Sequence, residues 1–236
     1  MRPNHDREHP PRRRVLAAAC GALLPPLAAP GTASATGPRL VRHVSPGSKS
    51  LALTFDDGPS PRFTPRVLAV LARYRVPAAF FVLGSESALH PGTLRMVRDH
   101  GHTLGNHTWS HPNLDRLPAR AVRDEIRRTQ DAVTAITGLT PAFFRAPGGH
   151  FAPSSLAVCE ELGLTPVSWA VDTRDWARPG VDGIVHAVMS GADTAPIVLH
   201  HDGGGDRSQT VEALDQYLPQ LLGAGYTFTT LTPSFE

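Results

Sequence analysis

"LALTFDDGPS", residues 51–60, is an apolar run that ends abruptly in two adjacent carboxylates. Leu51 to Phe55 have the composition of a short buried strand, and Gly58-Pro59 turns the chain. Neighbouring like charges repel, so the pair costs stability unless a site uses both. A metal site would do so. One carboxylate binds the ion while the other stays free as a general base. The plain alternative is an Asp-Gly-Pro turn whose aspartates satisfy backbone donors. That alternative explains one aspartate better than two.

Beyond this strand, short apolar runs alternate with helical patterns. The sequence predicts strands over 50–55, 78–83, 103–106, 141–145, 165–171, 195–200 and 226–231. Helices are predicted near 64–74, 92–100, 119–137, 154–162, 181–190 and 209–223. Within 119–137, Ala121, Val122, Ile126, Val133 and Ile136 approximate a 3.6-residue period, and Gly138 stops the helix. Such alternation implies an α/β fold of parallel strands with helical crossovers. About seven strand–helix units suit a (β/α) barrel, complete or distorted, with a doubly wound open sheet as the alternative. Either fold gathers functional groups at the carboxyl ends of its strands, where Asp56 and Asp57 lie.

Other strand ends carry matching chemistry. "LGNHTWSHPN" supplies His107 and His111, spaced i,i+4. On one helical turn that spacing points both imidazoles the same way. Two imidazoles and a carboxylate are a common divalent-metal set, zinc above all. "IVLHHDGGG" supplies His200, His201 and Asp202, from which a histidine could act as general acid. "FFRAPGGHF" supplies Arg145, with Gly148 and Gly149 allowing close backbone approach to a ligand. "VDTRDW" supplies Asp172, Asp175 and Trp176, and a tryptophan among charged groups suits a sugar face. Trp169 reads as ordinary core packing, and Trp109 is only a weaker candidate for the site.

The first 35 residues differ from the rest. A polar, basic start precedes "VLAAACGALLPPLAAP" and the small-x-small triplet Ala33-Ser34-Ala35. This predicts a secretory signal peptide over 1–35 cut before Thr36, then a short linker over 36–46 and a catalytic domain over 47–236. Pro25, Pro26 and Pro30 interrupt the apolar stretch, which is too short for a comfortable membrane span. Arg12-Arg13 leaves twin-arginine export open beside the general route. The segment holds five arginines against two acids, a surplus of three, so the chain's formal +2 becomes −1 after cleavage. A near-neutral chain with no basic cluster argues against nucleic acid as a partner. Only Cys159 follows the cleavage point, so no disulfide is expected within the mature chain.

T-F-D-D-G-P-S, H-T-W-S-H, R-A-P-G-G, D-T-R-D-W and L-H-H-D occur in this order across residues 54–202. Together they resemble the five motifs of the polysaccharide deacetylase family, the NodB-homology carbohydrate esterases of family 4. The resemblance spans roughly residues 45–232 and implies a distorted (β/α) barrel of NodB-homology type. It implies hydrolysis of acetyl groups on sugar polymers with a divalent metal, Zn2+ or a similar ion such as Co2+. By position, Asp56 resembles the catalytic base and Asp57, His107 and His111 the metal triad. His201 resembles the acid, Arg145 the arginine that orients the base, and Asp175 the carboxylate that tunes the acid. Leu199 resembles part of the acetyl-methyl pocket, Trp176 a groove wall, and Gly148 the residue whose backbone N–H meets the oxyanion. One departure stands out: many members read Arg-Pro-Pro-Tyr where this chain has Arg145-Ala146-Pro147-Gly148. The missing ring reshapes one groove wall and leaves the choice of polymer open. The expected substrate is an acetylated polysaccharide or oligosaccharide, N-acetylated peptidoglycan or chitooligosaccharide. Acetylxylan O-deacetylation is the alternative, and a non-catalytic sugar-binding protein a more distant one. The expected location is extracellular or at the cell wall.

Overall fold

A computed structural model of the chain describes Met1, residues 40–44 and residues 49–231. The predicted signal peptide, Met1 apart, lies outside the described residues. The central strand β1 (Ser50–Asp56) is buried along almost its whole length, as its apolar run requires. It pairs in parallel with β2 (Ala78–Val82) on one side and β7 (Ile197–His201) on the other. The remaining strands are β3 (Thr103–Asn106), β4 (Phe143–Phe144), β5 (Thr165–Pro166), β6 (Val171–Asp172) and β8 (Thr227–Phe228). The sheet runs β5-β4-β3-β2-β1-β7-β6, with β8 pairing the start of β1. Every ladder is parallel.

That order decides between barrel and open sheet. β5 and β6 sit at opposite edges, yet only residues 167–170 separate them. Five Cα steps reach at most about 18 Å, whereas six strand spacings in a flat sheet cover about 29 Å. The sheet must therefore curl until its edges face each other. Residues 41–44 lie in the remaining seam. Val41 N–H donates to Pro166 O at 3.0 Å, Ser168 N–H to Val41 O at 2.8 Å, and Ile197 N–H to Arg42 O at 3.0 Å. The fold is the distorted (β/α) barrel predicted, not the doubly wound sheet.

Helices α1 (Thr64–Tyr74), α3 (Pro91–Asp99), α4 (Ala119–Thr137), α5 (Pro153–Leu162), α6 (Val181–Gly191) and α7 (Ser208–Gly223) follow the predicted pattern closely. α4 buries Val122, Ile126 and Val133, and Gly138 ends it at φ 75° with its N–H on Thr134 O. Core packing centres on Leu51, Leu53, Phe55 and Phe80, with the Phe55 and Phe80 rings stacked 5.0 Å apart. Truncating one such ring to alanine costs about 3–5 kcal/mol.

Three predicted strands change, 226–231 shortening to Thr227–Phe228, and one helix is added. The run 165–171 divides into β5 and β6, because the chain crosses the seam in between. The strand 141–145 shortens to two residues, since it meets β3 at one position, Asn106 with Phe144. An unpredicted helix α2 (Gly84–Leu89) follows β2. Its sequence, GSESAL, is too short and too polar to show a helical period.

Candidate metal and acid–base site

The carboxyl ends of β1, β3, β4 and β7 open into a cavity of about 470 Å³. Asp56, Asp57, His107, His111, Gly148, Trp176, Leu199 and His201 all line it. Arg145 and Asp175 stand behind it, both fully buried. Asp56 ends β1 and Asp57 follows it, and the two diverge because Asp57 adopts φ 69°. A non-glycine residue at positive φ is strained, and such strain collects at functional sites. Here it turns Asp56 toward Arg145 and Asp57 toward His111, while His107 Nε2 lies between the two carboxylates, 3.6 Å from Asp56 Oδ2 and 3.5 Å from Asp57 Oδ1.

Asp57 Oδ1 lies 3.5 Å from His107 Nε2 and 3.3 Å from His111 Nε2. One donor atom from each of the three residues falls within 4.8 Å of the others. Asp57 Oδ1 is buried and accepts no hydrogen bond, which is costly for a carboxylate oxygen unless a cation takes its place among the partners. His107 Nδ1 lies 2.7 Å from Arg145 O, so it carries the proton and presents Nε2 as a bare lone pair. Burial pushes the His107 imidazole down to about 3, keeping it neutral. The donor set therefore fits a divalent cation with nitrogen preference.

The two histidines do not sit on a helical turn, contrary to the sequence reading. Residues 107–111 form a loop, with Thr108 at φ 72° and His111 at φ 58°. Side chains tie this loop down. Asn106 Oδ1 accepts from Thr108 N–H at 3.0 Å, and Glu125 of α4 accepts from Trp109 N–H, Ser110 N–H and Ser110 Oγ at 2.8–2.9 Å. The imidazoles meet at 5.2 Å between ring centroids through loop geometry rather than helical spacing. Trp109 faces away from the cavity, beneath Arg128 at 3.6 Å. Trp169, read from sequence as core, lines the cavity and lies where a side chain at Gly149 would go.

Asp56 is 2% exposed and takes a hydrogen bond from Arg145 Nη1 at 2.8 Å. Arg145 also donates to Thr54 Oγ1, Val167 O and Ser168 O, which fixes its plane. Burial raises the Asp56 carboxyl above its ordinary value, against the opposing pull of Arg145. His201 Nδ1 lies 2.7 Å from Asp175 Oδ1, and Asp175 Oδ2 accepts from His201 N–H and Thr210 Oγ1, each at 2.8 Å. Burial drives the Asp175 carboxyl up, but the hydrogen bond and charge of His201 bring it to about 2. For His201, burial acts downward, and Asp175 outweighs it to leave the imidazole above its ordinary value. His200 points the other way, buried between Phe55 and Tyr217, and burial lowers it to about 4. Asp202 is also buried; its N–H donates to Asp56 O at 3.1 Å, and burial raises its carboxyl to about 7.

A family profile described as polysaccharide deacetylase matches residues 43–167. The chain belongs to the polysaccharide deacetylase family. It is 43% identical over 192 residues to a chitooligosaccharide deacetylase of Bradyrhizobium sp. (strain ANU 289), covering 76% of this chain and 88% of that one. The crystal structure of the Bc1960 peptidoglycan N-acetylglucosamine deacetylase matches with a TM-score of 0.78 at 34% identity, over 81% of this chain and 90% of that one. A Bacillus anthracis protein described as a CE4 family pseudoenzyme matches with a TM-score of 0.77 at 29% identity, over 82% and 68%. Within this family the chain is a hydrolase of linear amide carbon–nitrogen bonds.

Proposed function

We propose that this deacetylase removes N-acetyl groups from N-acetylglucosamine units of peptidoglycan or chitooligosaccharides, outside the cell. A divalent ion, zinc first, would be held by Asp57, His107 and His111. The observation that carries this reading is the buried, unpartnered Asp57 Oδ1 facing two imidazole nitrogens, with a second carboxylate beside it that has its own cation in Arg145. When bound, the ion acidifies a coordinated water and polarises the acetyl carbonyl.

The chain's own residues handle the protons. Asp56, held by Arg145, takes a proton from the attacking water as the oxygen bonds to the acetyl carbon. The Gly148 backbone N–H is offered to the developing oxyanion. His201, kept protonated by Asp175, gives its proton to the departing nitrogen as the C–N bond breaks. Water and amide become acetate and a free amine. Leu199 borders the acetyl methyl, and the half-exposed Trp176 offers a sugar-stacking face at the rim. The names of similar proteins, chitooligosaccharide and peptidoglycan N-acetylglucosamine deacetylases, support an N-acetyl substrate. The signal-like residues 1–35 support export. No helix among the described residues is long and apolar enough to cross a membrane.

Kinship with a pseudoenzyme makes a non-catalytic role the second reading. The intact pairs Asp56–Arg145 and His201–Asp175, each at hydrogen-bond distance, favour catalysis. The deciding experiment incubates the zinc-loaded mature protein with N-acetylglucosamine oligomers, peptidoglycan fragments and acetylxylan, and measures acetate. Release from the first two is expected. Release from acetylxylan alone would make it an O-deacetylase, and release from none would make it a binding protein.

A further inference from the structure

The stretch "DGGGDRSQT", residues 202–210, follows the acid histidine, and the metal and proton chemistry above leaves most of it unexplained. Arg207 lies within it, 4% exposed and lining the cavity. Its guanidinium donates from Nε to Gly203 O at 2.7 Å, from Nη2 to Gly204 O at 3.0 Å and from Nη1 to Asp175 O at 3.4 Å. All three acceptors are backbone carbonyls, and none is a carboxylate. Burying a cation with no carboxylate paired directly to it is unfavourable, so packing alone is a poor reason for an arginine here.

The gripped carbonyls belong to both halves of the site. A Cβ on Gly203 would stand 2.0 Å from Asp57 O, and one on Gly204, at φ 70°, would stand 2.7 Å from Asp57 Oδ2. The turn held by Arg207 therefore lies directly against the metal-binding aspartate. Its third acceptor is the carbonyl of the residue whose carboxylate holds His201. Thr210, three residues on in α7, donates to that same carboxylate.

We propose that Arg207 is a positioning residue that braces the Asp57 side of the site against the His201–Asp175 pair, and that it sets the electrostatic environment of that pair. The inference rests on the reading of His201 as the acid. Among the groups that act on His201, the end of β1 supplies Asp56 and the turn after it Asp57, β7 supplies His200, and the 175–177 turn supplies Asp175. Arg207, reaching in from just before α7, brings a cation to this set through its Nη1 on Asp175 O.

The test uses the metal-loaded protein and two variants, Arg207→Met and Arg207→Lys. The readouts are kcat and KM on an N-acetylglucosamine oligomer and the His201 titration midpoint by NMR. Arg207→Met should lower kcat about 10- to 100-fold with KM within about threefold, as misplacement of reacting groups does. Removing a positive charge favours the imidazolium, so the His201 midpoint should rise. Arg207→Lys keeps the charge and cannot span three carbonyls, so its midpoint should hold while kcat falls. Unchanged kcat and midpoint in Arg207→Met would overturn the proposal. So would a lower kcat with an unmoved midpoint, which marks a merely structural residue. Should Arg207→Met fail to fold, a normal kcat in Arg207→Lys overturns it alone. A wild-type protein that releases no acetate counts against the proposed function, and the NMR midpoint still decides the role of Arg207.

Discussion

In the proposed mechanism the cavity holds two proton-handling groups with opposite needs, and its two sides are built with opposite charges. On the β1 side, the carboxylate of Asp56 is paired with the buried cation Arg145. On the β7 side, the imidazole of His201 is paired with the buried anion Asp175. Burial acts first on both, lifting Asp56 and depressing His201. The partner then pulls each group back toward its charged form. A base must stay deprotonated and an acid protonated at the same pH. One cavity achieves both because each side supplies a different buried counter-charge. The backbone carries the pairing, with Asp56 and His201 as register partners on adjacent strands.

The largest expected effect comes from deleting either proton carrier. Asp56→Asn and His201→Ala should each lower kcat by about 10²–10⁴-fold in acetate-release assays. A near-normal His201→Ala enzyme would remove the acid role. Next are the partners, which should move the pH profile in opposite directions. As the proposed base Asp56 works deprotonated, so activity should fall as pH drops through its raised pKa; Arg145→Met should move this acid limb upward. As the proposed acid His201 works protonated, so activity should fall as pH rises through its raised pKa; Asp175→Asn should move this alkaline limb downward. Limbs that shift together, or not at all, would break the contrast between the two sides. A smaller effect is expected at Glu125, which holds the loop of residues 107–111. Glu125→Ala should weaken zinc affinity about tenfold, measured by competition with a chelator. The smallest is at the rim, where Trp176→Ala should raise KM less than about tenfold and leave kcat alone.

What could be read from the sequence follows from how far each signal reaches along the chain. The apolar run 51–55 and the period of 119–137 are local, and both gave correct elements. The motif residues sit at strand ends, so a parallel fold brought them together once the alternation was recognised. The loop of His107 and His111 was misread because i,i+4 spacing also suits a loop strained at Thr108 and pinned by Glu125, a residue of α4. Arg207 carries no signal in the sequence, and Trp169 reads there as core packing, for a related reason. A lone arginine in a glycine-rich turn, or a tryptophan after a strand, announces no contact with a residue far away in sequence. The seam filled by residues 41–44 is likewise set by tertiary closure alone.

Neighbouring aspartates with separate duties, one ligating and one proton-accepting, are tested most directly by metal content. Purified Asp56→Asn and Asp57→Asn proteins should be dialysed against limiting zinc and the bound ion counted by mass spectrometry. Asp56→Asn should retain close to one zinc per chain while inactive, and Asp57→Asn should retain almost none. Zinc lost from Asp56→Asn and kept by Asp57→Asn would contradict the division of labour at the end of β1.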